Sequence, residues 1–100
     1  MIEFGSIING KQVKSGEWID IYNPYTKKQV GRVASLDTKT LDKVLTDTKN
    51  TKINLTRYER YDILNKIANA LEERVDEVSK MITDETGLCL KDTRYEASRV

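Results

Sequence analysis

The side chains that could attack, transfer a proton or hold an ion are few in this sequence, and each has a bland reading beside the chemical one. Cys89 is the lone cysteine. A reactive thiol needs a helix N-terminus, a nearby cation or a base to lower its pKa. Cys89 instead lies in the apolar tetrad that follows Gly87, so a core or surface thiol is expected. The chain has no histidine, which removes the commonest general base. Neither G-x-G-x-x-G nor G-x-x-x-x-G-K-[ST] occurs, so the familiar phosphate-cradling loops are missing too. Either the chain is not an enzyme, or its chemistry lies on sequence outside it.

Arg57 and Arg60, interleaved with Tyr58 and Tyr61, have the residue types of a nucleic-acid patch with stacking platforms. Glu59 and Asp62 sit among them and neutralise the local field, so a helix surface with ion pairs at short spacing is expected. The whole chain repeats that balance. Its 17 basic and 16 acidic residues leave a formal charge of +1, without the basic excess that phosphate binding demands. No nucleic-acid partner is expected. Trp18, the single tryptophan, is expected to cover the edge of a small core.

One cysteine excludes an internal disulfide and suits a reducing compartment. No apolar run approaches the roughly 20 residues that span a bilayer, so no membrane partner is expected. The opening MIEFGSIING lacks a basic start and a long apolar stretch, which argues against a secretory signal. A cytoplasmic chain is expected.

The elements that would position these residues change character a third of the way along. Ile7 and Ile8 end at Asn9-Gly10, a strong type I′ hairpin signal, and Lys11 to Lys14 return as the second strand with Val13 inward. Ser15-Gly16 leads into a strand over Trp18 to Tyr22, which Asn23-Pro24 stops. After a turn at residues 25–28, Gln29 to Ala34 forms a third strand.

Beyond Ser35 the apolar period becomes helical. Ser35 or Asp37 can cap a helix with Leu41, Val44 and Leu45 on one stripe. Residues 49–54 turn polar and read as a loop. Thr56 with Glu59 forms a capping box for a longer helix with inward stripe Leu64, Ile67, Ala68, Leu71, Val75, Val78 and Ile82. Asp76 offers a fresh cap, which puts a break near residues 74–76. Gly87 is a natural C-terminal stop. The predicted layout is an α+β piece of an α/β protein. It has antiparallel strands over residues 6–34, then three helices over 37–50, 56–86 (with the break) and 91–100. The three apolar stripes have only a small sheet to cover them, so the layout reads as one continuous domain that has been cut.

The order of several motifs resembles one family. Ile8-Asn9-Gly10-Lys11, Asn23-Pro24-Tyr25-Thr26 and Val30-Gly31-Arg32-Val33 resemble the I-N-G-K … N-P-x-T-G-x-x-x-G-x-V opening of the aldehyde dehydrogenase superfamily. Arg57 through Arg74 is similar to its R-x-x-x-L-x-x-x-A-x-x-L helix, and Glu85-Thr86-Gly87 with Glu96 to its E-T-G-K … E-V segment. Lys27-Lys28 stands in place of the usual Thr-Gly of the turn, and Leu88 stands where lysine usually follows the glycine. The residues around Leu55–Arg60 and Lys91–Glu96 look closest to members acting on phosphonoacetaldehyde, lactaldehyde or related small polar aldehydes.

The resemblance implies a chain several times longer, with a Rossmann-like cofactor domain, a catalytic domain and an oligomerisation hairpin. It implies NAD or NADP, a cysteine that forms a thiohemiacetal, hydride transfer to the nicotinamide and a glutamate that activates water. Cys89 does not match the nucleophile segment. The nucleophile, the glutamate and the dinucleotide contacts lie downstream in the family, so no catalytic or cofactor-binding residue is assigned to residues 1–100. These residues are expected to form the N-terminal, incomplete part of the cofactor-binding domain, with no second domain. Alone they are expected to be inactive, to bind no dinucleotide and to self-associate, in a parent that is a homo-oligomer. The resemblance also implies a monovalent cation held by backbone carbonyls near Ile21 and Tyr22 and by the carboxylate of Glu85. The rival reading is a stand-alone α+β interaction or oligomerisation module without activity.

Overall fold

A computed structural model describes all residues from Met1 to Val100. The elements run β1 (Ile2–Phe4), β2 (Ser6–Ile8), β3 (Lys11–Val13), β4 (Glu17–Tyr22), β5 (Gln29–Ser35), α1 (Thr38–Asn50), α2 (Arg57–Glu73), α3 (Val75–Thr86) and α4 (Leu90–Ser98). They fall into two compact units. One contains residues 1–22 and 28–53, the other residues 23–27 and 54–100.

In the first unit Asn9-Gly10 closes a hairpin between β2 and β3, with Ile8 opposite Lys11. Asn9 and Gly10 both take positive φ, 48° and 77°, as a type I′ turn requires. The second sheet has the order β1-β5-β4. Its β4–β5 pair is antiparallel, whereas β1 runs parallel to β5 with Ile2 opposite Gly31. The sequence pattern predicts only antiparallel strands beginning at residue 6, and the parallel strand β1 corrects it. Three residues carry too short a pattern to announce a strand. Gly31 is what admits it, because a Cβ there would lie 2.8 Å from the Ile2 carbonyl oxygen.

Asp37, not Ser35, caps α1, and its Oδ1 accepts the Thr40 N–H at 2.6 Å. That bond to the backbone N–H is the main reason its carboxyl is held below the ordinary aspartate range. The α1 stripe has little cover: Leu41 and Leu45 remain exposed, and Val44 is half-buried.

The second unit is helical apart from the turn at 23–27. There the Asn23 side chain accepts the N–H groups of Tyr25 (2.9 Å) and Thr26 (2.8 Å). Thr26 keeps the threonine of the N-P-x-T-G pattern, so the departure falls on Lys27, which takes a φ of 60°. The capping box at α2 is complete, with Glu59 N–H donating to Thr56 Oγ1 (3.1 Å) and Thr56 N–H donating to Glu59 Oε2 (2.7 Å). The break falls at Arg74, so the structure has four helices where the pattern predicts three interruptible stretches. Arg74 bridges the junction through a two-pronged ion pair to Glu77. That pairing holds the Glu77 carboxyl below its usual range and raises the Arg74 guanidinium.

The best-buried seam joins α3 to α4. Ser79 and Thr93 are fully buried, and Ala97 is 5% exposed. Small residues let the two helices approach, and each hydroxyl has a partner: Ser79 donates to the Val75 carbonyl (2.6 Å), and Thr83 and Thr93 share a bond of 3.0 Å. The long apolar stripe across α2 and α3 fares worse. Leu71, Val75, Val78 and Ile82 are half-buried, but Leu64, Ile67 and Ala68 stay exposed. Gly87 ends α3 in the left-handed conformation, with φ 78° and its N–H on the Thr83 carbonyl. The last helix starts one residue before the predicted 91 and ends at Ser98.

Candidate functional site

The residues singled out from the sequence do not gather into one reactive centre. Cys89 is exposed and occupies the N-cap position of α4, closer to a helix N-terminus than the sequence suggests. Its backbone carbonyl accepts the N–H groups of Asp92 and Thr93, both at 3.1 Å, while its side chain makes no cap bond. With no histidine in the chain, no imidazole base can serve this thiol. Nothing around it assembles a nucleophile with a base and an orienting third group.

The Arg57–Tyr61 cluster is also structural. Tyr58 and Tyr61 lean on each other at 6.3 Å between ring centres, and both are exposed. The short-spaced ion pairing expected on this helix surface is present, with Lys66 rather than an arginine as the cation. Glu59 is used by the capping box, Asp62 pairs with Lys66 at 2.9 Å, and Arg60 donates to the Leu55 carbonyl at 2.7 Å. The spacing i to i+4 favours lysine 66 over the arginines for Asp62.

Trp18 is half-buried on β4, as expected for an edge cover. Its partner was not legible in the sequence: the Arg32 guanidinium lies 4.6 Å from the indole ring centre and pairs with Glu3 at 2.6 Å. Glu3 stands directly opposite Arg32 in the β1–β5 register, so one arginine ties three strands together. Its only forecast would have been the β1 pairing.

For the cation set, Ile21 is half-buried and Tyr22 exposed at the end of β4, where the ladder shifts register between them. Glu85 is exposed in the last turn of α3. No three histidine, cysteine or acidic side chains converge to hold a metal.

The helix N-termini bear on anion binding. Asp37 caps α1, Glu59 occupies the first turn of α2, Asp76 and Glu77 that of α3, and Asp92 that of α4. Each positive helix end therefore already carries a carboxylate. A pyrophosphate approaching any of them meets like charge. A groove of about 500 Å³ lies along α2 and the end of α4, with Leu71, Val75, Ala97 and Val100 in its wall. It contains no catalytic pairing. No helix is long and apolar enough to cross a membrane.

Comparison with known proteins supplies what the site geometry does not. The family model described as the aldehyde dehydrogenase family matches residues 11–100. The lactaldehyde dehydrogenase of Methanococcus aeolicus is 36% identical over 93 residues, covering 85% of this chain and 20% of that protein. The 3-sulfolactaldehyde dehydrogenase of Priestia aryabhattai is 26% identical over 98 residues, 97% of this chain and 20% of that protein. A lactaldehyde dehydrogenase of Methanococcus maripaludis is 33% identical, over 92% of this chain and 20% of its own length. The chain thus spans about one fifth of the length of the curated relatives it matches. With the match running from β3 through α4, the chain belongs to the aldehyde dehydrogenase family.

Proposed function

We propose that residues 1–100 are scaffold of an NAD(P)-dependent enzyme that oxidises a small polar aldehyde to its carboxylic acid. The observation that carries this is the family match over residues 11–100. The relatives named for lactaldehyde and 3-sulfolactaldehyde support a short aldehyde bearing a hydroxyl or an anionic group. The stretch forms the N-terminal part of the cofactor-binding domain in a cytoplasmic homo-oligomer, and the thiohemiacetal-forming cysteine, the water-activating glutamate and the dinucleotide contacts lie elsewhere. Two features of the chain support that division. Its helix N-termini carry their own carboxylates, which disfavour phosphate, and the chain has no histidine to serve Cys89. Exposed stripes on α1 and α2 suit docking against the rest of a larger domain, and they would equally suit the rival interaction module. The family match favours the enzyme.

The test is steady-state oxidation of lactaldehyde by the full-length protein, read as growth of reduced nicotinamide absorbance. Turnover is expected to survive Cys89→Ser. Loss of turnover in Cys89→Ser with folding intact would overturn the scaffold assignment. For the isolated chain, saturable micromolar binding of NAD in a titration would do the same. The cation reading belongs to this proposal too: Glu85 with carbonyls near Ile21 and Tyr22 would hold sodium or potassium. Glu85→Gln in the full-length enzyme should weaken its monovalent-cation dependence, and an unchanged dependence would remove the idea.

A further inference from the structure

Six asparagines lie along the chain, and the residue after each one governs its chemical fate. An asparagine loses its carboxamide when the next backbone nitrogen attacks Cγ, so that nitrogen must be free and uncrowded. Asn23 precedes Pro24, which has no N–H, and its Oδ1 is already taken by Tyr25 and Thr26. Asn65 and Asn69 lie within α2, where the next N–H groups belong to the helical ladder. Asn50 precedes the β-branched Thr51, whose N–H donates to Thr48. Asn54 precedes Leu55, whose side chain crowds the nitrogen.

Asn9 alone meets both conditions. Asn9 and Gly10 are exposed at the hairpin tip, and nothing lies within 4 Å of where a Gly10 Cβ would sit. The Asn9 carboxamide makes no hydrogen bond. We propose that Asn9 is a site of spontaneous deamidation through a succinimide. Gly10 N forms a bond to Asn9 Cγ and gives its proton to solvent base, and the bond from Cγ to the amide nitrogen breaks to release ammonia. Water then opens the ring at either carbonyl, giving aspartate or isoaspartate, with no oxidation or reduction.

The left-handed turn at Asn9 and Gly10 must relax before that nitrogen can reach Cγ. Relaxation is easy here, because two three-residue strands form a separate two-stranded sheet. The reaction therefore runs from the opened hairpin. Its two products differ in consequence. Aspartate keeps a good turn former before glycine, whereas isoaspartate adds a backbone carbon between Ile8 and Lys11 and spoils their pairing. Either product replaces a neutral amide with a carboxylate.

The test is peptide mapping of the full-length protein after incubation in warm, mildly alkaline buffer. A gain of about 1 Da with isoaspartate is expected in the peptide containing Asn9 and in no other asparagine peptide. In urea, where the hairpin is open in both proteins and the strain of alanine at a φ of 77° no longer enters, Gly10→Ala should slow the conversion severalfold, since its Cβ crowds the attacking nitrogen. Gln12→Thr, opposite Ile7, should also slow it by strengthening the strand pair. An unchanged Asn9 peptide, or conversion at Asn50 or Asn54 in its place, would overturn the proposal. So would a Gly10→Ala rate equal to that of the parent in urea, and an unaffected Gln12→Thr in the folded protein would refute the opening step.

Discussion

Replacing Gly87 with alanine separates two costs that meet at one atom. The residue has φ 78°, where an L side chain costs about 1–2 kcal/mol. Alanine returns about 0.4–1 kcal/mol by restricting the unfolded chain, so the backbone part nets about 1 kcal/mol. The new Cβ would also stand 2.8 Å from Pro24 Cγ. Overpacking of that kind adds about 1 kcal/mol or more. The sum, about 2 kcal/mol, is a loss of roughly thirtyfold in local protection at the α3–α4 corner. Amide hydrogen exchange of the full-length protein, followed in peptides spanning residues 80–92, reads it directly. The ring term is isolated by Pro24→Ala: in that background Gly87→Ala should cost only about 1 kcal/mol, leaving a coupling of about 1 kcal/mol. Equal costs with and without Pro24 would refute the contact argument. Undiminished protection in Gly87→Ala would refute the conformational one.

Other perturbations reach different parts of the chain. Thr56→Ala removes one half of the capping box and should lower stability by about 1 kcal/mol, seen as faster amide exchange in the first turn of α2. Lys27→Gly relieves a φ of 60° and should raise the unfolding midpoint by an amount equivalent to about 1 kcal/mol; a lower midpoint would show the lysine to be held by compensating contacts. Asp37 has a depressed pKa in the folded chain, so its contribution is present above the unfolded value and fades as pH falls through the folded one. Amide exchange in the first turn of α1 should therefore quicken on acidification, and Asp37→Asn should flatten that dependence. The isolated 100-residue chain should self-associate through Leu45, Leu64 and Ile67, which are 58%, 66% and 50% exposed; a monodisperse monomer that melts cooperatively would count against this.

Local signals were the legible ones. Asn9-Gly10, the Thr56–Glu59 box and Gly87 each act within a few residues, and each governs the structure where the sequence places it. The break at Arg74 was legible for the same reason, since Asp76 and Glu77 supply a new first turn. The pairing of β1 with β5 was not, because its cause is a close approach between Ile2 and Gly31 that no short-range pattern encodes. Arg32 shared its obscurity: the contacts to Glu3 and Trp18 exist only once three strands are in register. The helix stripes were readable as stripes, but periodicity tells which residues share a face and not what covers them. For the candidate site, the family motifs carried the assignment, while the reach of Cys89 to a helix N-terminus depended on where α4 begins.

The parallel pairing of β1 also sets a timetable for synthesis. Ile2 leaves the ribosome 29 residues ahead of its partner Gly31. At about 5–20 residues per second the first strand waits roughly 1.5–6 s for its mate. The β2–β3 hairpin, closed across two residues, can form within microseconds of emerging. The nascent chain therefore carries a finished hairpin beside an unpaired apolar strand of Ile2 and Phe4, an interval in which a chaperone has something to hold.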